Sequence, residues 1–153
     1  AMLKYGTDKP DLRNPLEIVD CTDVFATLEL NAFKRQTVRV IATHDVADRP
    51  RSFFEDMTNF AIKDLKAKGL AWLRILDDSS FQGPIAKFIT EEAKQTMLER
   101  TNSKPGDCLF FIAEVPGVVE KLAGQVRSEL GKRLGLIIIA STSVGLLTFL
   151  CLN

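Results

Sequence analysis

Histidine, tryptophan and tyrosine each occur once in the 153 residues, and cysteine three times. A single imidazole, His44, excludes a histidine-rich metal centre and leaves few options for acid–base catalysis. Cys21, Cys108 and Cys151 are far apart and odd in number. They have no zinc or dithiol spacing, so a reduced, cytosolic compartment is expected. The glycine-rich loops that cradle phosphates, GxxxxGK and GxGxxG, are both missing. Charge of one sign is lacking too: 20 basic residues balance 20 acidic ones. That excludes a strongly basic nucleic-acid domain, though not a local basic face. The start has no basic segment followed by an apolar one, so no secretory signal is expected.

Long hydrophobic runs are also scarce, with one exception. From Leu134 to Asn153 the chain carries no charge, directly after Lys132 and Arg133. The length fits a membrane-spanning helix. Ser141, Thr142, Ser143, Gly145 and Thr148 dilute it, and the same run reads as two β-prone segments with a polar break. The second reading makes residues 137–153 an atypical apolar tail, with no membrane expected.

What is present is ordinary for a globular domain: 46% hydrophobic and 26% charged residues, enough for one core without metal or disulfide staples. Residues 1–15 hold Pro10 and Pro15 without an apolar period and read as an extended arm. Leu16–Asp20 is a short strand candidate, with Asp20 or Thr22 capping a brief helix through Phe25. Phe33–Arg35 and Thr37–Asp45 are β-prone. Pro50–Lys68 has a strong helical period through Phe53, Phe54, Met57, Phe60, Ala61 and Leu65. Its caps are expected from Ser52 with Glu55 and from Gly69. Ala71–Leu76 reads as a buried strand, Asp77–Pro84 as a loop and Ile85–Ile89 as a short apolar run. Thr90 caps a helix through Arg100, and Cys108–Ala113 is the most strand-like run. Pro116 opens a last helix with a core stripe of Val118, Val119, Leu122, Ala123, Val126 and Leu130. Strands and helices do not alternate strictly. The fold class expected is therefore α+β: a two-layer sandwich of a mainly antiparallel sheet with helices on one face.

Few residues point to chemistry. His44, Asp45 and Asp48 are the one cluster with metal-ligand types, and loop polarity explains them equally well. Asp77 and Asp78 suit a turn. No nucleophile stands in a recognisable setting for His44. Lys121, Arg127 and Lys132 are expected on the outer face of the last helix. With Lys63, Lys66 and Lys68 they present cations for a nucleic-acid backbone, diluted by Glu120, Glu129 and Asp64.

The arm is more specific. Tyr5-Gly6-Thr7-Asp8-Lys9-Pro10-Asp11-Leu12-Arg13-Asn14-Pro15 resembles the segment that leads into the large insertion of bacterial-type aspartyl-tRNA synthetases. Gly83-Pro84-Ile85-Ala86-Lys87-Phe88, Leu98-Glu99-Arg100-Thr101, Gly106-Asp107 with Phe110-Phe111, and Leu130-Gly131-Lys132 with Leu134-Gly135-Leu136 resemble successive blocks of that insertion, the GAD domain. The five blocks run in order over Tyr5–Leu136.

This resemblance implies a β-β-α-β-β-α theme over residues 16–136, with residues 1–15 as the arm from a catalytic module of the same polypeptide. It implies a parent that attaches aspartate to tRNA with ATP and Mg²⁺, as a cytoplasmic enzyme and homodimer. The domain by itself is expected to be monomeric. The class II motifs are absent from this chain, so no catalytic, cofactor or metal residue is carried over. Lys9, Arg13, Lys121, Arg127 and Lys132 are the expected tRNA or hinge contacts. The region Asn31–His44 is shorter than the family's strand pair, and residues after Leu136 depart from its return strand, as a truncated or foreign tail would. Two alternatives are a GAD domain of a glutamyl-tRNA amidotransferase subunit and a membrane-anchored binding domain.

Overall fold

The computed structural model describes residues 15–136; the arm before Pro15 and the tail from residue 137 lie outside the described residues. Strand β1 (Ile18–Asp20) runs into helix α1 (Thr22–Ala26). The cap position is Cys21, and the preceding Asp20 does the capping: its Oδ1 accepts from Thr22 N at 2.9 Å and Thr22 Oγ1 at 2.6 Å. The β-prone Phe33–Arg35 is not a strand. Asn31–Phe33 forms one 3₁₀ turn, Arg35 takes φ 62°, and the Phe33 ring packs on Phe25 at 4.9 Å. Packing overrides local propensity here. Strand β2 (Thr37–Thr43) follows.

Helix α2 (Arg51–Asn59) starts after Pro50, with no side-chain cap from Ser52. Glu55 pairs instead with Arg51 at 2.8 Å. The helix widens into a π turn over Phe60–Asp64 and stops short of Lys68 and Gly69. Lys66 takes the left-handed position at φ 62°, and Ala67 N donates to Ala61 O at 2.9 Å. Strand β3 (Ala71–Ile75) turns back into β4 (Phe81–Gln82), a strand hidden in the expected loop. Helix α3 (Glu91–Thr101) is capped as expected, Thr90 Oγ1 accepting from Ala93 N at 3.2 Å. Strand β5 (Cys108–Glu114) leads to helix α4 (Val118–Arg133), which starts one residue beyond Gly117 rather than at Pro116. Gly117 takes φ 90° and its N–H donates to Glu120 Oε2 at 2.7 Å. The helix closes with Gly135 at φ 72° and a bond of 2.8 Å from Leu136 N to Gly131 O, the left-handed stop that glycine permits.

The sheet order is β1-β2-β5-β3-β4 and every pairing is antiparallel. The α+β class and the mainly antiparallel sheet are as expected, and β1, β2, α2, β3, β5, α4 reproduce the β-β-α-β-β-α theme. The expected confinement of helices to one face is not what the chain does. Ile41, Phe110 and Ile112 meet Phe54 and Met57 of α2 and Val119, Leu122 and Val126 of α4 on one face. Val40, Leu73 and Phe111 meet Phe25 of α1 and Met97 of α3 on the other. Alternate residues of β2 and β5 therefore feed two cores. Val118, expected in the core stripe, is 45% exposed because the helix starts there.

Candidate functional site

Helix α4 presents the cations singled out in the sequence. Val119, Leu122, Ala123, Val126 and Leu130 are buried against the sheet. At about 100° per residue, Lys121 and Lys132 fall roughly 20° apart on the opposite side, and both are exposed. Arg127 is the correction. It was expected beside them, yet it is 1% exposed. The same step puts it roughly 80° from Val119, on the flank of the apolar stripe. Its Nε donates to the Leu16 carbonyl at 2.5 Å, so it joins α4 to the start of β1. It is not placed to meet a partner from solvent. Lys9 and Arg13 lie outside the described residues. Lys63, Lys66 and Lys68 are exposed, and Lys68 reaches Glu114 at 3.4 Å.

A second buried cation, Arg39 of β2, lies between Asp20 and Glu120 at 2.9 Å each. Glu120 also holds Gly117 N, so Arg39 locks the start of α4 onto the sheet edge.

His44 stands at the end of β2, and its Nδ1 lies 3.0 Å from Asp107 Oδ2. Asp107 is fully buried and also accepts from Asp45 N and Lys104 N, each at 3.1 Å. The histidine is thus part of a loop clasp, and Asp45 contributes its backbone rather than its carboxylate. Among the described residues no group of three or more His, Cys, Asp or Glu is placed to hold a metal ion. Burial pushes the Cys21 thiol up to about 11 and the Cys108 thiol up to about 12, so both stay protonated and inert at neutral pH.

On the far face, Arg100 makes a fork to Asp23, with 2.6 and 2.7 Å bonds. Those hydrogen bonds hold the Asp23 carboxyl down at about 2, from the usual 3.8. A lowered acid contributes stability above its unfolded value and loses it as pH falls toward the folded one. Asp23 is 68% exposed, so the pair is worth at most about 1 kcal/mol. Asp23→Asn is expected to lower denaturant midpoints slightly at pH 7. The difference from the unmodified chain should shrink between about pH 4 and pH 2. A difference that grows on acidification would contradict the geometry.

Two further concave features lie beside α2, and no sequence spacing announced them. A groove of about 710 Å³ runs between α2 and the outer end of β3, floored by Phe33, Leu70, Trp72 and Phe111 and rimmed by Arg51 and Lys68. It adjoins a pocket of about 510 Å³ lined by Arg51, Trp72, Arg74, Gln82, Gly83 and Pro84. The β3–β4 pairing covers only Arg74 and Ile75, which leaves the Ala71–Trp72 end of β3 open on that side. Gly83 closes over it. A Cβ there would stand 2.3 Å from the Trp72 carbonyl oxygen.

The sheet order and pairings, with helices on both faces and a groove at the hairpin edge, define an α+β sheet domain. Its family follows from comparison with known sequences. Residues 29–123 match the GAD domain, and the chain belongs to that family. The aspartate–tRNA ligase of Streptomyces coelicolor is 47% identical over 135 residues, covering 88% of this chain and 23% of the relative. The aspartate–tRNA(Asp/Asn) ligases of Wolbachia pipientis subsp. Culex pipiens and Ehrlichia chaffeensis are 45% and 46% identical over 142 residues, covering 90% of this chain and 24% of each relative. The chain thus spans about a quarter of the length of the curated relatives it matches. Among the described residues no helix is long and apolar enough to cross a membrane.

Proposed function

We propose that this chain is the insertion domain of an aspartate–tRNA ligase, contributing tRNA positioning and a hinge rather than bond-making. The observation that carries this reading is the 47% identity to such a ligase over 88% of the chain. The relatives named above are all aspartate–tRNA ligases, which favours this reading over an amidotransferase subunit. The parent activates aspartate with ATP and Mg²⁺ in the cytoplasm and transfers it to tRNA, as a homodimer. The domain on its own is monomeric and inactive. Residues 16–136 make up the domain, and residues 1–15 join it to the catalytic module.

Within the domain, Lys121 and Lys132 are the α4 cations free to face a phosphate backbone. Lys9 and Arg13 support the same role from the arm. Arg127 serves the hinge, fastening α4 to the chain where it enters β1. The test uses the full-length ligase that contains this sequence. It is expected to charge tRNA with aspartate, and failure to do so would remove the reading. Lys121→Ala/Lys132→Ala is expected to weaken tRNA binding about 2–10-fold and to flatten its salt dependence, because fewer counterions are released. An unchanged affinity and slope would leave these lysines as solvated surface. A fall in thermal stability at constant slope in Lys9→Ala/Arg13→Ala would make the arm residues structural.

A further inference from the structure

We propose that the pocket between the β3–β4 hairpin and the start of α2 receives one nucleotide unit of a single-stranded RNA segment. Its phosphate sits on Arg51 and Arg74, and its base lies against Trp72 and Pro84. This rests on the tRNA reading above. Six residues line the pocket; two are guanidiniums and none is a carboxylate. Its volume of about 510 Å³ is within the range of about 300–1,000 Å³ typical of small-ligand sites.

The lining is already arranged for such a unit. The Arg74 guanidinium lies over the Phe54 ring at 4.7 Å and near the Trp72 ring at 5.5 Å. One of its terminal nitrogens is anchored on the Arg49 carbonyl at 3.2 Å, while its Nε has no hydrogen-bond partner. Arg51 projects from the first turn of α2, 79% exposed, with an exposed ion pair to Glu55. Such exposed pairs contribute little and yield to a phosphate. Trp72 is half-buried and stacked on Phe54 at 4.5 Å and 27°, so a base meets a ring that needs no ordering. Gln82 is exposed at the rim and offers an amide to a base edge.

Two neighbouring features favour RNA over other occupants. An added peptide strand would need the β3 edge at Trp72, and Gly83 covers that carbonyl. The pocket on the other side is lined by Asp45, Asp48, Asp77 and Asp78, which repels phosphates. The larger groove carries Arg51 and Lys68 against one carboxylate, Glu55. A polyanion entering the pocket is therefore directed along the groove and away from the aspartates.

The test again uses the full-length ligase, with an unmodified tRNA(Asp) transcript as the probe. Equilibrium binding is followed over a salt series, and aspartyl-adenylate formation without tRNA is followed by pyrophosphate exchange. Arg51→Gln is expected to weaken binding about 3–10-fold, with the salt slope reduced by about one and thermal stability unchanged. Arg74→Lys, which keeps the charge but loses the planar fork, is expected to weaken binding about 3–10-fold at nearly constant slope. Exchange without tRNA is expected to stay unchanged in both. If the unmodified enzyme binds tRNA(Asp) while both variants bind with the same affinity and slope, the pocket proposal falls and the tRNA reading stands. If the unmodified enzyme does not bind tRNA(Asp), the tRNA reading falls and takes the pocket with it. Loss of pyrophosphate exchange with tRNA affinity intact assigns the pocket to contact with the catalytic module and overturns the RNA proposal.

Discussion

Phe54→Ala is expected to lower the unfolding free energy by about 3–5 kcal/mol, the usual loss for deleting a buried phenyl ring. Phe54 is fully buried. Its ring stacks on Trp72 at 4.5 Å and on Phe110 at 5.8 Å, and meets Phe53 edge-on at 5.3 Å. Three elements, α2, β3 and β5, therefore lose contacts at once, and the rigid sheet cannot collapse into the gap. Phe60, one turn and a half further on, packs only partly against the same core and lies under Arg133 at 5.6 Å. Phe60→Ala is expected to cost roughly 1–2 kcal/mol, as partial burial implies. Urea denaturation of the two variants checks the ranking. Equal losses, or a loss below about 1 kcal/mol for Phe54→Ala, would mean that this aromatic stack is not the centre of the core.

Asp107→Ala is expected to cost about 3 kcal/mol, through unpaired donors rather than a cavity. The substitution leaves Asp45 N and Lys104 N without the carboxylate that accepts from both. Neighbouring Gly106, at φ 99°, accepts from Val46 N and Ala47 N and donates to Ile75 O. The loop after β2, the end of β3 and the approach to β5 would loosen together. Asp107→Asn keeps one acceptor oxygen and should lose less. His44→Ala removes only an exposed partner and should cost under about 1 kcal/mol. A histidine variant as damaging as Asp107→Ala would give the imidazole a larger role than this clasp allows.

Local chemistry was legible in the sequence where the chain decides by itself. Thr90 caps α3, because its hydroxyl acts on its own backbone neighbours. Decisions made by distant partners were not legible. Phe33 is β-prone, yet its ring is drawn onto Phe25. Lys66 rather than Gly69 takes the left-handed position, because Ala67 and Leu70 must enter the core just beyond it. The two-residue β4 exists only through its pairing with Arg74 and Ile75. Arg127 lies on the boundary of an apolar stripe, where charge argues for solvent and angle argues for burial. Leu16, far away in sequence, settles it. The pocket residues Arg51, Trp72 and Gln82 share no spacing, so only the hairpin and α2 together disclose them.

Among the described residues, the blocks that carry the family resemblance turn out to be joints. Gly83 fits over the Trp72 carbonyl, Arg100 clamps Asp23, Gly106 and Asp107 clasp three segments, and Gly131 and Gly135 finish α4. Their shared property is that they fix how neighbouring segments meet.

The position of β5 in the sheet sets the order in which the domain can assemble. Strand β5 pairs with β2 on one side and β3 on the other, yet it is the last strand among the described residues. Thr43 meets Cys108 across 65 positions of sequence, so the two halves of the sheet share no ladder until that loop closes. Closing it costs chain entropy before any long-range contact repays it, which slows folding relative to helical domains of this size. On a ribosome, β1 with β2 and β3 with β4 would wait as two unconnected hairpin-like halves with open edges until β5 emerges between them. The exposed interval before that insertion is when the nascent domain is most open to mispairing.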